Sequence, residues 1–428
     1  MKILIIAYYY PPQTYARIAS LRPYSWGKYW SEMGHEVRVL TTYKGRNKEE
    51  LEPFPNVKIE EISYSPFGSL RKKQSHNTIQ FNSQEKSFLK NKIRQNLIFF
   101  QKELGFGTLL YGSNLWIFPA YFHSIKLYQS WSFDIVISTY GPPANHVLSS
   151  LIKCKYDKFW AADYRDLWGG HHYSKAKYLF SYLENIFEKK IITSADCLIT
   201  VSSPLKNSLL SRFNLPTFII ENGFDDNPYK REQFTYKNQL ILVYTGSFYP
   251  EKQNLCTLMM ALSHLEKNLT PKIKIVLHTL STNEISKLIE KYKVSDIIRN
   301  SSFIAREECL KLQASADLLI FLDWNEPNIK GILTGKIFEY MVAGTPVINI
   351  GCDDETDASR LITESGIGVN LGNDPQAIAA YLKRLLQGEK PYYQPNQSVI
   401  EKYSRKKLAE KMLEQILHYK NQSDSNRI

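Results

Sequence analysis

Gly335, Lys336 and Glu339 have the residue types and spacing to hold a nucleotide. They lie in Thr334-Gly335-Lys336-Ile337-Phe338-Glu339-Tyr340-Met341-Val342-Ala343-Gly344-Thr345-Pro346, which runs into the apolar Val347-Ile348-Asn349-Ile350. This reads as a short helix followed by a buried strand. Thr334 suits the N-cap, Gly344 a left-handed stop, and Pro346 cannot continue a helix. Gly335 and Lys336 then occupy the first turn, where unpaired N–H groups and the positive end of the helix dipole attract an anion. Glu339 follows one turn on, a single carboxylate among Ile337, Phe338 and Met341. A phosphate at the helix end and a ribose diol on Glu339 together describe a nucleotide.

Three other loops carry candidate chemistry. Thr245-Gly246-Ser247-Phe248-Tyr249-Pro250-Glu251-Lys252 follows the apolar run Leu240–Tyr244. A glycine at the carboxyl end of a strand lets backbone approach a ligand, and Lys252 can neutralise a diphosphate there. The same residues also suit a plain strand–turn–helix connection ending in a surface lysine. In Ala162-Asp163-Tyr164-Arg165-Asp166-Leu167-Trp168-Gly169-Gly170-His171-His172, Arg165 and Asp166 are candidate site residues at a strand end, or a structural ion pair under the loop. Adjacent His171 and His172 diverge and Asp163–Asp166 is not a DxD pattern, so no metal site is expected. The first strand-to-helix loop, Tyr8–Arg17 with Arg22 beyond, lacks GxGxxG. Arg17 and Arg22 are either phosphate partners or ordinary helix-surface arginines. His146, after Ser138-Thr139-Tyr140-Gly141-Pro142-Pro143, is either a packing residue at a helix start or a participant.

These loops need parallel strands to position them. Short β-rich runs alternate with helical stretches throughout, predicting parallel sheets covered by helices. The expected strands are Lys2–Ala7, Glu36–Thr41, Asp134–Ser138, Phe159–Ala162 and Cys197–Val201, then Leu240–Tyr244, Lys274–His278, Leu318–Leu322 and Pro346–Ile350. Two such sets predict two Rossmann-like, doubly wound domains, at residues 1–205 and 239–398. Pro216, Asn222-Gly223, Asp225-Asp226 and Pro228 mark 206–238 as the linker. A final basic, amphipathic helix is expected at about 399–420, with a disordered polar tail from Asn421.

Composition narrows the class. The chain of 428 residues is 43% hydrophobic, enough for two or three cores, and its formal net charge of +12 suits anionic partners. Five cysteines without a CxxC pair fit a reducing cytoplasm; Met1–Ala7 is too short an apolar run to be expected to act as a signal peptide, and the sequence has no apolar stretch of about 20 residues. No nucleic-acid-binding motif, Walker A loop, zincin motif or Ser-His-Asp order occurs. The stretch 71–131, with Arg71-Lys72-Lys73 and Leu115-Trp116-Ile117-Phe118, reads either as an insert packing its aromatics inward or as a peripheral contact with an anionic membrane.

Taken in order, these pieces resemble the bacterial family-4 glycosyltransferases of the GT-B fold, in particular those of surface-polysaccharide gene clusters. The resemblance runs from Met1 to about His418. It is carried by Lys2–Pro12 with Leu21-Arg22-Pro23-Tyr24, Gly34-His35-Glu36-Val37, Ala162–Trp168, Ala195–Ser202, Glu221-Asn222-Gly223-Phe224-Asp225, Tyr244-Thr245-Gly246-Ser247 and Lys336–Pro346. It implies two Rossmann-like domains facing across a cleft, with the last helix returning to the first domain. It further implies a nucleoside-diphosphate sugar as donor substrate, no cofactor, and metal-independent transfer with retention to a saccharide or lipid-linked saccharide hydroxyl. Glu339 takes the ribose role. Gly246, Ser247, Thr334, Gly335 and Lys336 frame the nucleotide, Lys252 meets the diphosphate, and Asp166 with Arg165 serves the acceptor side. Two departures stand out: Gly331 occupies the place of the family's first Glu in E-x7-E, and Arg165 stands where many relatives have His. The other readings are a GT-B nucleotide-sugar epimerase or hydrolase, and a non-catalytic partner subunit.

Overall fold

A computed structural model describes residues 1–12, 20–45, 54–63, 108, 112–169, 178–229, 231, 239–250, 252–266, 268–279, 281–302, 304–325, 333–351 and 356–425. Gly331, Arg17, Gly170, His171, His172 and the basic stretch 71–107 (Thr108 and Gly112 onward are described) lie outside them. The chain divides into two compact units, Met1–Ile220 with Ala409–Ile428, and Glu221–Leu408.

The first unit is built on seven parallel strands, β1 (Lys2–Ile6), β2 (Glu36–Thr42), β3 (Val57–Ile62), β4 (Ile135–Thr139), β5 (Phe159–Tyr164), β6 (Cys197–Thr200) and β7 (Thr217–Ile219). Their order across the sheet is β3-β2-β1-β4-β5-β6-β7. Among the described residues its helices are α1 (Leu21–Glu32), α2 (Ile117–Ser130), α3 (Ala144–Tyr156), α4 (Tyr178–Ile192) and α5 (Ser203–Arg212). Strand order reverses at β1, so right-handed crossovers put α1 on one face and α3 and α4 on the other. The interior strands β1, β4, β5 and β6 are buried on both sides and mostly apolar, as a doubly covered parallel sheet requires. The stretch expected as a linker, 206–238, contains most of α5 and the whole of β7, so chain punctuation there marks an edge strand before it marks a domain end.

The second unit repeats the plan with six strands, β8 (Leu240–Thr245), β9 (Ile273–His278), β10 (Ile298–Ser301), β11 (Leu318–Leu322), β12 (Val347–Ile350) and β13 (Gly368–Asn370), in the order β10-β9-β8-β11-β12-β13. Helices α6 (Leu255–Ser263), α7 (Thr282–Tyr292), α8 (Arg306–Ser315), α9 (Gly335–Ala343), α10 (Asp357–Ser365) and α11 (Pro375–Leu386) alternate with them. Packing of α6 on α7 and α11, and of α9 on α8 and α10, divides them between the two faces. The last helix, α12 (Arg405–Ser425), starts later and runs further than expected, with Asn421–Ser425 helical rather than an unstructured tail. From Ala409 it belongs to the first unit, where the Trp30 indole N–H donates to Ala409 O at 2.9 Å and Tyr419 stacks on Phe218. Arg405, one of the basic residues of this helix, is buried against the Asp225 carboxylate and Asn222 O.

Candidate functional site

The start of α9 meets the loop after β8 at the carboxyl edge of the second sheet. Gly246 has φ +109°, a conformation L side chains avoid, and a Cβ there would lie 2.6 Å from Lys336 Cε. The glycine is therefore required both by its backbone and by the lysine stem lying over it. The Lys336 ammonium donates to the Tyr244 hydroxyl at 2.6 Å and to Ser247 O at 2.9 Å, and sits 4.1 Å from the Tyr244 ring centre. Lys336 is half-buried, its ammonium lying under the Gly246 loop. Desolvation there pulls its pKa down to about 7, against the opposing pull of Glu339.

Glu339 lies one turn further along α9, mostly buried, with Oε1 3.4 Å from Arg306 Nη2 at the start of α8. Nearby, burial pushes the Cys309 thiol up, partly offset by its hydrogen bond with Thr245. Thr334 occupies the N-cap position with extended backbone, but its side chain caps nothing; the buried Oγ1 has no hydrogen-bond partner among the described residues. The expected capping bond is therefore absent, and the first turn closes instead through the Ile337 N–H donating to Thr334 O at 3.3 Å, with the Gly335 and Lys336 N–H groups ahead of it. Gly344 ends the helix at φ +74°.

Lys252 occupies another part of the same loop. Its N–H donates to Tyr249 O at 2.9 Å, its carbonyl accepts from Asn325 N at 2.8 Å, and buried Gln253 Nε2 donates to Leu322 O at 2.7 Å. These bonds tie the loop to the end of β11. Lys252 lines a cavity of about 360 Å³ with Phe248, Asn254, Cys256, Glu284 and Lys287. It thus stands toward α6 and α7, whereas Lys336 and Glu339 stand toward α8. The structure joins Gly246, Ser247, Lys336 and Glu339 into one cluster and gives Lys252 a neighbouring position.

In the first unit the buried ion pair is not the expected one. Arg22 on α1 meets Asp163 at the end of β5, with Nη2 2.7 Å from Oδ1, and Thr139 Oγ1 donates to Asp163 Oδ2 at 2.8 Å. Arg22 is thus not a surface residue but a buried cation fastening α1 to the sheet. Arg165 and Asp166 are only loosely associated, at 3.8 Å, and Asp166 is exposed. The Arg165 guanidinium lies against Gly141, and its buried Nε, which makes the long contact to Asp166, has no hydrogen-bond partner among the described residues. His146 is a packing residue: fully buried among Tyr164, Trp160 and Trp168, with Nδ1 2.8 Å from Ser138 Oγ. Burial pulls its pKa down to about 3, so it stays neutral.

Tyr244, Arg306, Cys309 and Glu188 escaped the sequence reading. Glu188 on α4 is buried, accepts from Gly169 N at 2.9 Å and from the Tyr164 hydroxyl at 2.9 Å, and pairs with Arg212. That knot anchors the far end of the loop bearing Arg165 and Asp166. Only Arg306 had a sequence signal, a cation opening a helix just beyond a strand.

Comparison with known proteins accords with this layout. The family model described as Glycosyltransferase Family 4 matches residues 23–227, and that described as Glycosyl transferases group 1 matches 239–388. No curated protein sequence matches the chain significantly. Among solved structures, sucrose-phosphate synthase from Thermosynechococcus elongatus is similar at 15% identity and TM-score 0.64, over 97% of this chain and 98% of that one. HepE from Anabaena, in complex with UDP, is similar at 15% identity and TM-score 0.57, over 100% and 99%. UDP-GlcNAc 2-epimerase from Methanocaldococcus jannaschii is similar at 11% identity and TM-score 0.53, over 98% and 100%. At such identities the structural likeness carries the fold, while the family matches carry the activity. The chain belongs to the glycosyltransferases, with a family-4 N-terminal region and a group-1 C-terminal region on the GT-B plan of two Rossmann-like domains.

Proposed function

We propose that this enzyme moves a sugar, with retention and without a metal ion, from a nucleoside-diphosphate sugar to a hydroxyl of a saccharide or lipid-linked saccharide. The setting is cell-surface polysaccharide synthesis, in the cytoplasm at the inner face of the membrane. The observation that carries the donor assignment is the pairing of Lys336 and Glu339 one turn apart at the start of α9, beside the Gly246 loop. The ribose diol bonds Glu339. The diphosphate meets the N–H groups of Gly335 and Lys336, the Lys336 ammonium and, from the loop, Lys252. Positive charge at the departing oxyanion lowers the barrier to leaving-group loss. The departing phosphate takes the acceptor proton on the same face of the sugar, giving retention, while Asp166 and Arg165 orient the acceptor hydroxyl. With Gly331 in place of a carboxylate, backbone donors read the sugar.

The test incubates purified protein with UDP-, GDP-, ADP- and dTDP-sugars and a saccharide alcohol, scoring the glycoside and its anomeric configuration. Glycoside formation without added divalent ion supports the reading. Conversion of the donor alone points to an epimerase or hydrolase, and absence of any nucleotide binding to a non-catalytic subunit.

A further inference from the structure

Arg306 on α8 and Glu339 on α9 face each other across adjacent helices, and their pairing is unlike a structural one. Arg22 shows what a structural pair looks like in this chain. It reaches Asp163 with Nη2 at 2.7 Å and with Nε at 3.1 and 3.2 Å, a clasp on both carboxylate oxygens. Arg231 likewise meets Asp317 at 2.8 Å. Arg306 instead makes one contact, Nη2 to Glu339 Oε1 at 3.4 Å, outside the roughly 2.7–2.9 Å of a charge-assisted bond. Its Nε is buried with no hydrogen-bond partner among the described residues, and Glu339 Oε2 accepts no hydrogen bond from them. Yet the Glu339 side chain is only 12% exposed, between the fully buried Phe338 and Tyr340. Such unused hydrogen-bonding capacity beside a largely desolvated charge is costly unless a guest completes it.

The chemistry of the two groups says what that guest must offer. The Glu339 carboxylate supplies acceptors only, and the Arg306 guanidinium donors only. A phosphate would suit Arg306 but be repelled by Glu339, and an ammonium would do the reverse. A hydroxyl both donates and accepts, and two neighbouring hydroxyls match both openings. One donates to Oε2; the second donates to Oε1 while accepting from the guanidinium. A single hydroxyl leaves one opening unfilled. The nearby polar groups do not complete the pair themselves: the Cys309 thiol is hydrogen-bonded with Thr245, and the Lys336 ammonium with the Tyr244 hydroxyl and Ser247 O.

We propose that Arg306 is a specificity-determining residue that works with Glu339 to demand both hydroxyls of the donor's sugar ring. The enzyme therefore takes ribonucleoside-diphosphate sugars and rejects their 2′-deoxy counterparts, dTDP-sugars among them. This rests on the nucleotide reading of α9 proposed above and narrows its donor class. Glu339 alone would hold either ring through one hydroxyl. Discrimination comes from the guanidinium, which loses its acceptor when the 2′ hydroxyl is missing. Sites that hydrogen-bond a substrate hydroxyl reject the analogue lacking it far more sharply than an apolar pocket rejects a missing methylene. Full-length protein is titrated calorimetrically with UDP, GDP and ADP, and with 2′-deoxy-UDP, 2′-deoxy-GDP and 2′-deoxy-ADP. For the base that binds, the ribonucleotide should be tighter than its 2′-deoxy form by about a hundredfold or more. Arg306→Gln should shrink that gap to about tenfold or less, by weakening the ribonucleotide and leaving the 2′-deoxy form nearly unchanged. The first comparison uses the unaltered protein and so does not depend on how the variant folds. Equal affinity for the two forms overturns the proposal and leaves the donor reading in place. An Arg306→Gln protein that weakens both forms equally also overturns it, assigning the arginine to another part of the nucleotide or to helix packing. Binding of none of the six nucleotides removes the donor reading itself, and the proposal with it.

Discussion

Lys336 makes donor affinity depend on pH near neutrality, with a calculable slope. Its ammonium is desolvated under the β8 loop, bonded to Tyr244 and Ser247 O, and has a pKa of about 7. The other groups facing it are Glu339, on its own helix, and Cys309 on α8, whose thiol burial keeps protonated. A bound diphosphate restores the charged form toward the ordinary lysine value of about 10.4. In the free enzyme the charged fraction then falls from about nine-tenths near pH 6 to about one-tenth near pH 8. Affinity is therefore full on the acid side of about pH 7 and declines above it, by about tenfold from pH 6 to pH 8. Near pH 8, close to one proton enters with each donor. The assay is calorimetry with the nucleotide sugar chosen by the screen, a diester that does not itself titrate in this range, in two buffers of different ionisation enthalpy. Lys336→Gln should bind more weakly and lose the slope. A flat affinity profile with buffer-independent heats in the unaltered enzyme would refute the reasoning.

Other consequences are open to direct measurement. Gly246→Ala drives a Cβ into the Lys336 stem at a forbidden φ, so donor affinity should fall at least about tenfold; unchanged calorimetry counts against the loop's assigned role. Arg22→Met strands the Asp163 carboxylate and should cost about 3–5 kcal/mol in urea unfolding, while a variant that keeps its stability but loses donor binding would return Arg22 to the site. At Gly169 a Cβ would meet Asn185 Oδ1 at 2.2 Å and Glu188 Oε2 at 2.6 Å, so Gly169→Ala should lower stability by about 1–3 kcal/mol. Lys252→Ala should reduce kcat/KM by about a hundredfold or more, and near-normal turnover would remove it from the diphosphate contact.

What could be read from the sequence depended on burial. All nine expected strands form, within about two residues at their ends, as hydrogen-bonded ladder boundaries generally allow. The strands not foreseen are β3, β7, β10 and β13, which are the four sheet edges. An edge strand is covered on fewer sides, so Val57–Ile62 and Ile298–Ser301 are rich in polar residues and show no continuous apolar run. The α9 signal was strong because local chemistry at one helix start requires it. Arg22 and Asp163 were harder, since 141 positions separate them and only the sheet brings them together. For the same reason Arg165-Asp166 looked like the pair: adjacency in the chain stood in for adjacency in space. Thr334 shows the reverse case, a residue of capping type whose hydroxyl makes no cap bond.

The central claim is that Glu339 and the start of α9 hold the nucleotide of the donor. It is tested most directly by calorimetric titration of the unaltered enzyme and of Glu339→Ala with the nucleoside diphosphate of the selected donor. Loss of one ribose-diol contact to a carboxylate predicts at least about a tenfold weaker Kd, with a melting profile that still shows a folded second unit. An unchanged Kd in Glu339→Ala would contradict the account and place the nucleotide elsewhere.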